Sequence, residues 1–274
     1  MTTSLDVALL SSLLEEAARV EIMPRFRNLG TDDVRIKTEA IDLVTEADEA
    51  AERLIKAKIA ELAPDVVFIG EESVAADPDL LYRLKDADLA LVIDPIDGTF
   101  NFAAGMPLFG VMASVVSKGE TVAGIIYDPI GKDWAIAEKG AGAFIVKPDG
   151  ARRRLSIAAP VALPAMTGIA SVGFYPIEQR RIVMGNLAEV RMATSYRCAA
   201  HEYRTFADGH LHFMMYQKLM PWDHLAGSLI AEEAGAHVAR FDGSRYLPHT
   251  FDGGLLIATD KDSWQALRRD VFVV

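Results

Sequence analysis

Two rhythms of apolar residues divide this 274-residue chain into helices and strands. Over residues 4–27, Leu9, Leu13 and Val20 recur among polar neighbours, with Pro24 near the end, and predict an amphipathic helix. The segment Lys37 to Asp48 reads as polar and extended. A second helix is predicted from Ala47 or Asp48, with Ala51, Ile55, Ile59 and Leu62 on one face and Pro64 as its stop. Short unbroken apolar runs read instead as buried strands: Val66 to Gly70, which leads into Glu71-Glu72-Ser73, and Leu89 to Ile93, ended by Asp94. Strands at 109–117 and 121–127 are joined around Lys118-Gly119-Glu120 as a hairpin, and pieces at 134–138 and 142–147 follow across Lys139-Gly140-Ala141-Gly142. The middle of the chain is therefore a meandering, largely antiparallel sheet. The Pro/Ala-rich stretch Ala158 to Pro164 marks a boundary between two lobes, 1–158 and 159–274. Beyond it come a strand near 167–172, helices at 176–189 and 197–208, a strand at 210–216, a helix at 223–234, a strand at 255–258 and a helix from 261 to 269. There is no internal repeat or low-complexity segment.

Composition narrows the classes. Hydrophobic residues make up 51% and charged residues 24%, as in an ordinary globular chain that buries a substantial core. A formal charge of −11 argues against a binder of nucleic-acid backbones, which needs a basic footprint. No apolar stretch approaches the ~18 residues of a transmembrane helix. Met1-Thr2-Thr3-Ser4-Leu5-Asp6 lacks the basic start of a signal peptide. The single Cys198 cannot form an internal disulfide; it fits a reducing cytoplasm and reads as a buried structural thiol.

The chemistry concentrates in Asp94-Pro95-Ile96-Asp97-Gly98-Thr99. Two carboxylates stand at the end of a buried strand, the edge where α/β proteins usually place their sites. Pro95 stiffens the turn, and Gly98 permits close approach of an anion to the backbone. Carboxylates attract divalent metal, and free N–H groups at a helix start attract phosphate. Further acidic clusters lie at Asp42/Asp48 with Thr45, at Glu71/Glu72 and at Asp223 after Trp222. Were they to converge, each carboxylate pair about 4 Å apart would repel by roughly 4 kcal/mol at an effective dielectric near 20, and a divalent ion would relieve it. Hard oxygen ligands without Cys or His favour Mg²⁺ over Zn²⁺.

Blander readings stand beside these. Asp223 suits an N-cap for the helix at 223–234, Asp48 suits a cap as well, and Glu71-Glu72 suits a solvated pair. Asp94/Asp97 resists this, because a buried carboxylate without a partner is costly. His210 and His212 share a strand face but lack a third zinc ligand. His201-Glu202 resembles an acid/base pair in composition only, and a helix-surface or supporting role is its default reading.

The ordered set Asp42-Leu43-Val44-Thr45-Glu46-Ala47-Asp48, Phe68-Ile69-Gly70-Glu71-Glu72-Ser73, Asp94 through Phe102, Trp222-Asp223-His224-Leu225-Ala226-Gly227 and Glu233-Ala234-Gly235-Ala236 closely resembles the inositol monophosphatase family of Mg²⁺-dependent, lithium-sensitive phosphomonoesterases. The resemblance spans most of the chain and implies one domain of layered α-β-α-β-α fold, of the type shared with fructose-1,6-bisphosphatase. It implies two or three Mg²⁺ ions: one held by Glu71, Asp94 and the Ile96 carbonyl, another by Asp94, Asp97 and Asp223. Thr99 and Asp48 match positions that orient the attacking water, with Glu71 near it, and the amides of Gly98 and Thr99 match the phosphate site. Asp97, Asp223 and Ala199 match substrate contacts, and Lys37 matches a basic position. The implied mechanism is in-line water attack without a phospho-enzyme, in a cytoplasmic homodimer.

Two departures bear on substrate. Tyr216, followed by Gln217, stands where inositol-binding members carry a Glu for sugar hydroxyls; a neutral Tyr cannot pair with two hydroxyls as a carboxylate does. Tyr196-Arg197-Cys198-Ala199-Ala200-His201-Glu202-Tyr203 replaces a small, glycine-containing pattern, so Arg197 and His201 either contact an acidic or nitrogenous substrate or simply pack. The expected substrate is a small phosphorylated polyol, most simply inositol 1-phosphate. Phosphates of histidinol, fructose bisphosphate and 3′-phosphoadenosine phosphate are the rivals, and a non-catalytic regulator of the same fold is the alternative of another class.

Overall fold

The computed structural model describes residues 5–37 and 42–274. Helix α1 (Val7–Ala17) begins at Asp6, whose side chain caps Ala8 N at 2.9 Å, and continues through a wider π turn, Ala18–Ile22. It is shorter than the predicted 4–27, of which Ser4 lies outside the described residues. Its buried stripe is Leu10, Leu13, Leu14, Ala17, Ala18 and Ile22, whereas Leu9 and Val20 face solvent. Strands β1 (Val34–Ile36) and β2 (Leu43–Thr45) pair antiparallel where an extended segment was expected; positions 38–41 of that segment lie outside the described residues. Helix α2 (Glu46–Leu62) buries Ala51, Ile55 and Ile59 but exposes Leu62. Then come β3 (Val67–Gly70), α3 (Glu71–Ala76), β4 (Leu89–Asp97) and α4 (Thr99–Ala103). The meander is β5 (Gly110–Ser117), β6 (Glu120–Asp128), β7 (Asp133–Glu138), β8 (Gly142–Val146) and β9 (Arg152–Arg154). The remainder is β10 (Thr167–Ala170), α5 (Ile177–Asn186), β11 (Met192–Thr194), α6 (Ala199–Ala207), β12 (Phe213–Tyr216), α7 (Pro221–Glu233), β13 (His237–Arg240), β14 (Leu255–Ala258) and α8 (Lys261–Asp270). His210 and His212 precede β12 rather than sharing its face; His212 Nδ1 instead lies 3.1 Å from the Thr167 amide.

The strands form a seven-stranded sheet in the order β3-β4-β5-β6-β7-β8-β9, parallel only at β3/β4, and a five-stranded mixed sheet in the order β11-β10-β12-β14-β13. Alternation along the strands assigns each face a partner. Leu91, Ile93, Val111, Ala113 and Ile125 pack with α1 and α2, while Met112, Ile126 and Ala135 pack with α6 and α7. Ile169, Met214 and Ile257 of the second sheet join that same α6/α7 layer, and Phe213, Met215 and Leu256 face α5 and α8. The architecture is therefore the expected five-layer α-β-α-β-α sandwich.

Helix α7 comes very close to the large sheet. A Cβ built on Gly124 of β6 would lie 2.7 Å from the Ala226 carbonyl oxygen and 2.8 Å from its Cα, and backbone cannot swing aside as a side chain does. Gly124→Ala is therefore expected to destabilise the protein by about 1–3 kcal/mol, measured as a lowered urea midpoint at unchanged m-value.

Candidate active site

Two aspartates three apart on a regular strand point to opposite faces. A bulge removes that conflict here. Asp94 pairs with Met112 and Asp97 with Gly110, so β4 has three steps where β5 has two. The extra residue turns both carboxylates toward one side, and β4 runs through Asp97 instead of stopping at Asp94. Pro95 is tolerated because β3 pairs with β4 only as far as Gly70 opposite Ile93, leaving no ladder bond to lose on that side. The same parallel pairing ends both strands at one edge and sets Glu71 beside Asp94.

Asp223 arrives from much later in the chain, in the first turn of α7. It is not the cap: Met220 holds that position, and Pro221 sits in the first turn, where its missing N–H costs nothing. One oxygen from each of Asp94, Asp97 and Asp223 lies within 4.8 Å of the others. The three belong to a cavity of about 380 Å³ that Glu71, Ile96, Gly98, Thr99, Ala199, Arg197 and Tyr216 also line. Burial first, then Glu71, Asp97 and Asp223, push the Asp94 carboxyl well above the usual carboxylate range. Asp223 rises likewise through burial and then Asp97. Asp97 rises by burial, opposed by two donors: Cys198 Sγ at 2.9 Å and the Ala200 amide at 2.6 Å in the first turn of α6. Cys198 is itself buried and its thiol is pushed up, so it is a structural donor without nucleophilic character. Asp94 Oδ1 is buried with no hydrogen-bond partner. An orphaned acceptor among crowded carboxylates fits a divalent cation bound by hard oxygens.

Around this cluster the sequence-marked residues divide. Asp48 is the third residue of α2 in a capping box with Thr45, its Oδ2 accepting the Thr45 amide at 2.8 Å; it is fully buried and pushed up to about 7, chiefly by burial. Its Oδ1 lies 3.1 Å from Thr99 Oγ1, which also lies 2.9 Å from the Ile96 carbonyl, so Asp48 both caps a helix and reaches the cavity floor. Gly98 holds φ +87° at the start of α4, beside the amides that helix leaves outside its own ladder. Lys37 Nζ meets Glu71 at 2.7 Å and Glu72 at 2.6 Å; burial opposes its charge, but the two carboxylates hold its pKa above the ordinary value.

Some expectations change. His201 leaves the substrate group: its Nε2 lies 3.1 Å from the Phe109 carbonyl, and the ring lines a separate cavity with Arg204 and Asp133. Glu202 is no helix-surface residue. It is buried, is pushed up to about 7 by burial, and accepts the Tyr216 hydroxyl at 2.8 Å and the Tyr196 amide at 2.7 Å. The reading from sequence also missed Glu52, whose carboxylate accepts the Glu72 and Ser73 amides at 2.7 and 2.8 Å and so fixes the turn carrying Glu71. Gly70 was its signal, since a Cβ there would sit 2.3 Å from the Glu52 carboxyl carbon. Asn101 was missed too; its Nδ2 donates to the Leu108 and Tyr196 carbonyls at 3.0 and 2.8 Å and ties the Asp94–Thr99 turn to the Arg197 loop.

A five-layer sandwich with a carboxylate-lined cavity at paired strand ends defines a class of metal-assisted phosphate enzymes. The chain belongs to the inositol monophosphatase family, whose model matches residues 7–271. It is 32% identical over 212 residues to a fructose-1,6-bisphosphatase/inositol-1-monophosphatase of Thermotoga maritima, covering 77% of each chain. It is 35% identical to the Nus factor SuhB of Pasteurella multocida, over 74% of this chain and 73% of that one. In fold it superposes on the Thermotoga maritima IMPase with a TM-score of 0.79 at 25% identity, covering 97% of both chains. No helix among the described residues is long and apolar enough to cross a membrane.

The raised carboxyl groups set the behaviour of the metal-free protein. They hold protons in the folded state that the unfolded chain has already lost, so stability falls as pH rises through this interval. Asp48 at about 7 and Glu72 at about 8 place the upper end of the loss. In chelator, the melting temperature is expected to fall between pH 5.5 and 8. Millimolar Mg²⁺ is expected to reverse the fall. A flat profile by differential scanning calorimetry would contradict this electrostatic picture.

Proposed function

We propose that this protein is a Mg²⁺-dependent phosphomonoester hydrolase acting on a small phosphorylated polyol, with inositol 1-phosphate as the simplest substrate. The observation that carries the reading is the trio Asp94, Asp97 and Asp223 within 4.8 Å, with an orphaned Asp94 oxygen, beside the Gly98–Thr99 helix start. Glu71, Asp94 and the Ile96 carbonyl would hold one ion, and Asp94, Asp97 and Asp223 another. Bound there, divalent ions supply Lewis acidity that lowers the pKa of the attacking water and stabilises the leaving alkoxide.

The chain's own groups do the remainder. Thr99 and Asp48 form a hydroxyl–carboxylate pair at the cavity floor; the hydroxyl orients the water, and Asp48 takes up its proton. The Gly98 and Thr99 amides hold phosphate oxygens where the α4 dipole favours negative charge. Ala199, at the start of α6, and Asp97 flank the substrate. We further propose a single domain of two lobes, 1–158 and 159–274, working as a homodimer in the cytoplasm. The likeness to a Nus factor favours a second reading, a non-catalytic regulator of the same fold.

Phosphate release from inositol 1-phosphate, histidinol phosphate, fructose 1,6-bisphosphate and 3′-phosphoadenosine phosphate, with and without Mg²⁺, separates the two. Turnover is expected with Mg²⁺ only, and a dominant nucleotide activity would overturn the polyol assignment. Asp94→Asn is expected to lower kcat by at least about 10³-fold, as loss of a central electrostatic group does, with an unchanged circular dichroism spectrum. Wild-type turnover by that variant would sink the metal site as drawn.

A further inference from the structure

The same cavity is also lined by Ser195, Arg197, Glu202, Tyr216, Lys218 and the turn at Phe174. The Glu202 oxygens are already engaged. Glu202 Oε2 takes the Tyr216 hydroxyl at 2.8 Å, and Oε1 takes the Tyr196 amide at 2.7 Å and Ser195 Oγ at 3.1 Å. The Tyr216 proton is committed to Glu202, so neither side chain remains as a carboxylate reader of neighbouring sugar hydroxyls.

The donors are a different matter. The Arg197 guanidinium stacks on Phe100, its carbon 3.5 Å from the ring centre, and the Lys218 ammonium stands 5.7 Å from the Phe174 ring centre. Among the described residues neither has a carboxylate within ion-pair distance, whereas Lys37 and Arg204, beside the same layers, each meet two. Stacking occupies the face of a guanidinium and leaves its in-plane N–H fork free for a bidentate anion. The backbone supports that pose. Arg197 adopts φ +56°, a strained conformation for a residue with a Cβ, and holds it because its amide donates to Ser195 Oγ at 3.1 Å while Asn101 pins the preceding carbonyl. Lys218 is anchored likewise, its carbonyl 2.9 Å from His224 Nε2.

We infer that Arg197 and Lys218, which line this cavity, bind a second anionic group on the substrate, a phosphate or a carboxylate. The inference rests on the phosphatase reading and deepens it: the preferred substrates are phosphorylated polyols with an acidic far end, ahead of neutral polyol monophosphates. The Gly98 and Thr99 amides hold the reacting phosphoryl group; Arg197 and Lys218 select what is attached to it.

The test is kcat/KM in Mg²⁺ for fructose 1,6-bisphosphate and 6-phosphogluconate, each relative to inositol 1-phosphate. It is run for wild type, Arg197→Gly, Lys218→Ala and the double variant. Glycine is chosen because it accepts the left-handed backbone that Arg197 already adopts. Wild type is expected to favour at least one acidic substrate, and the one favoured tells a second phosphate from a carboxylate. The double variant is expected to lower that preference about 10- to 100-fold, mainly through KM, as loss of charged hydrogen bonds does. Preference ratios that stay the same across all four proteins would overturn the inference while leaving the phosphatase reading intact. Absence of turnover on all three substrates would overturn both.

Discussion

Carboxylates forced within 4.8 Å of one another in a poorly hydrated interior repel, and burial adds a desolvation cost to each charge. Asp94, Asp97 and Asp223 meet this condition because three independent features converge: a bulge in β4, a shared strand edge at β3/β4, and the first turn of α7. Much of the surrounding structure answers that strain. Cys198 and the Ala200 amide stabilise Asp97, Lys37 balances Glu71 and Glu72, and Asp48 gains amide and hydroxyl donors from Thr45. Among the carboxylates of the described residues, Asp94 alone keeps a buried oxygen without a hydrogen-bond partner, so the remaining imbalance is concentrated where a cation would enter.

The layered fold makes such concentration tolerable. Helices α6 and α7 are packed between two sheets, and Gly227 of α7 meets the Tyr203 ring of α6 so closely that a Cβ would lie 2.1 Å from it. A layer locked this tightly fixes the starts of both helices, which carry Ala199 and Asp223, relative to the bulged strand. Charge repulsion that would open a looser site is instead held by apolar packing on both sides of the layer.

On the proposed phosphatase reading, reaction and selection fall to different residues of the cavity. The aspartates, Thr99 and Asp48 come from strand ends and helix starts that the core holds rigid. Arg197, Lys218 and the Phe174 turn come from connections and line the same cavity. Tyr216 lies beside them, its hydroxyl donating to Glu202.

The order of strands through the meander and the acidic motifs were legible from sequence, because each rests on local periodicity or on short spacings, whereas the five-layer architecture followed from the family resemblance of the ordered motifs. Helix ends were less legible: α1 with its π turn ends at Ile22, five residues before position 27, and Leu9, Val20 and Leu62 face water although their spacing suggested burial. Which apolar residue is covered depends on the neighbouring layer, and that is not written in the helix itself. Asp94 and Asp97 could be named from the chain, but their common orientation required the bulge, which exists only through pairing with β5. The partners of Glu52, Glu202 and His201 likewise lie on other elements, and burial together with those partners, not residue type, set their roles. Sequence fixes which charged and polar groups are available at each position; tertiary packing decides which are desolvated, which are paired and which are left free to act, because those energies depend on what the fold brings within a few ångströms.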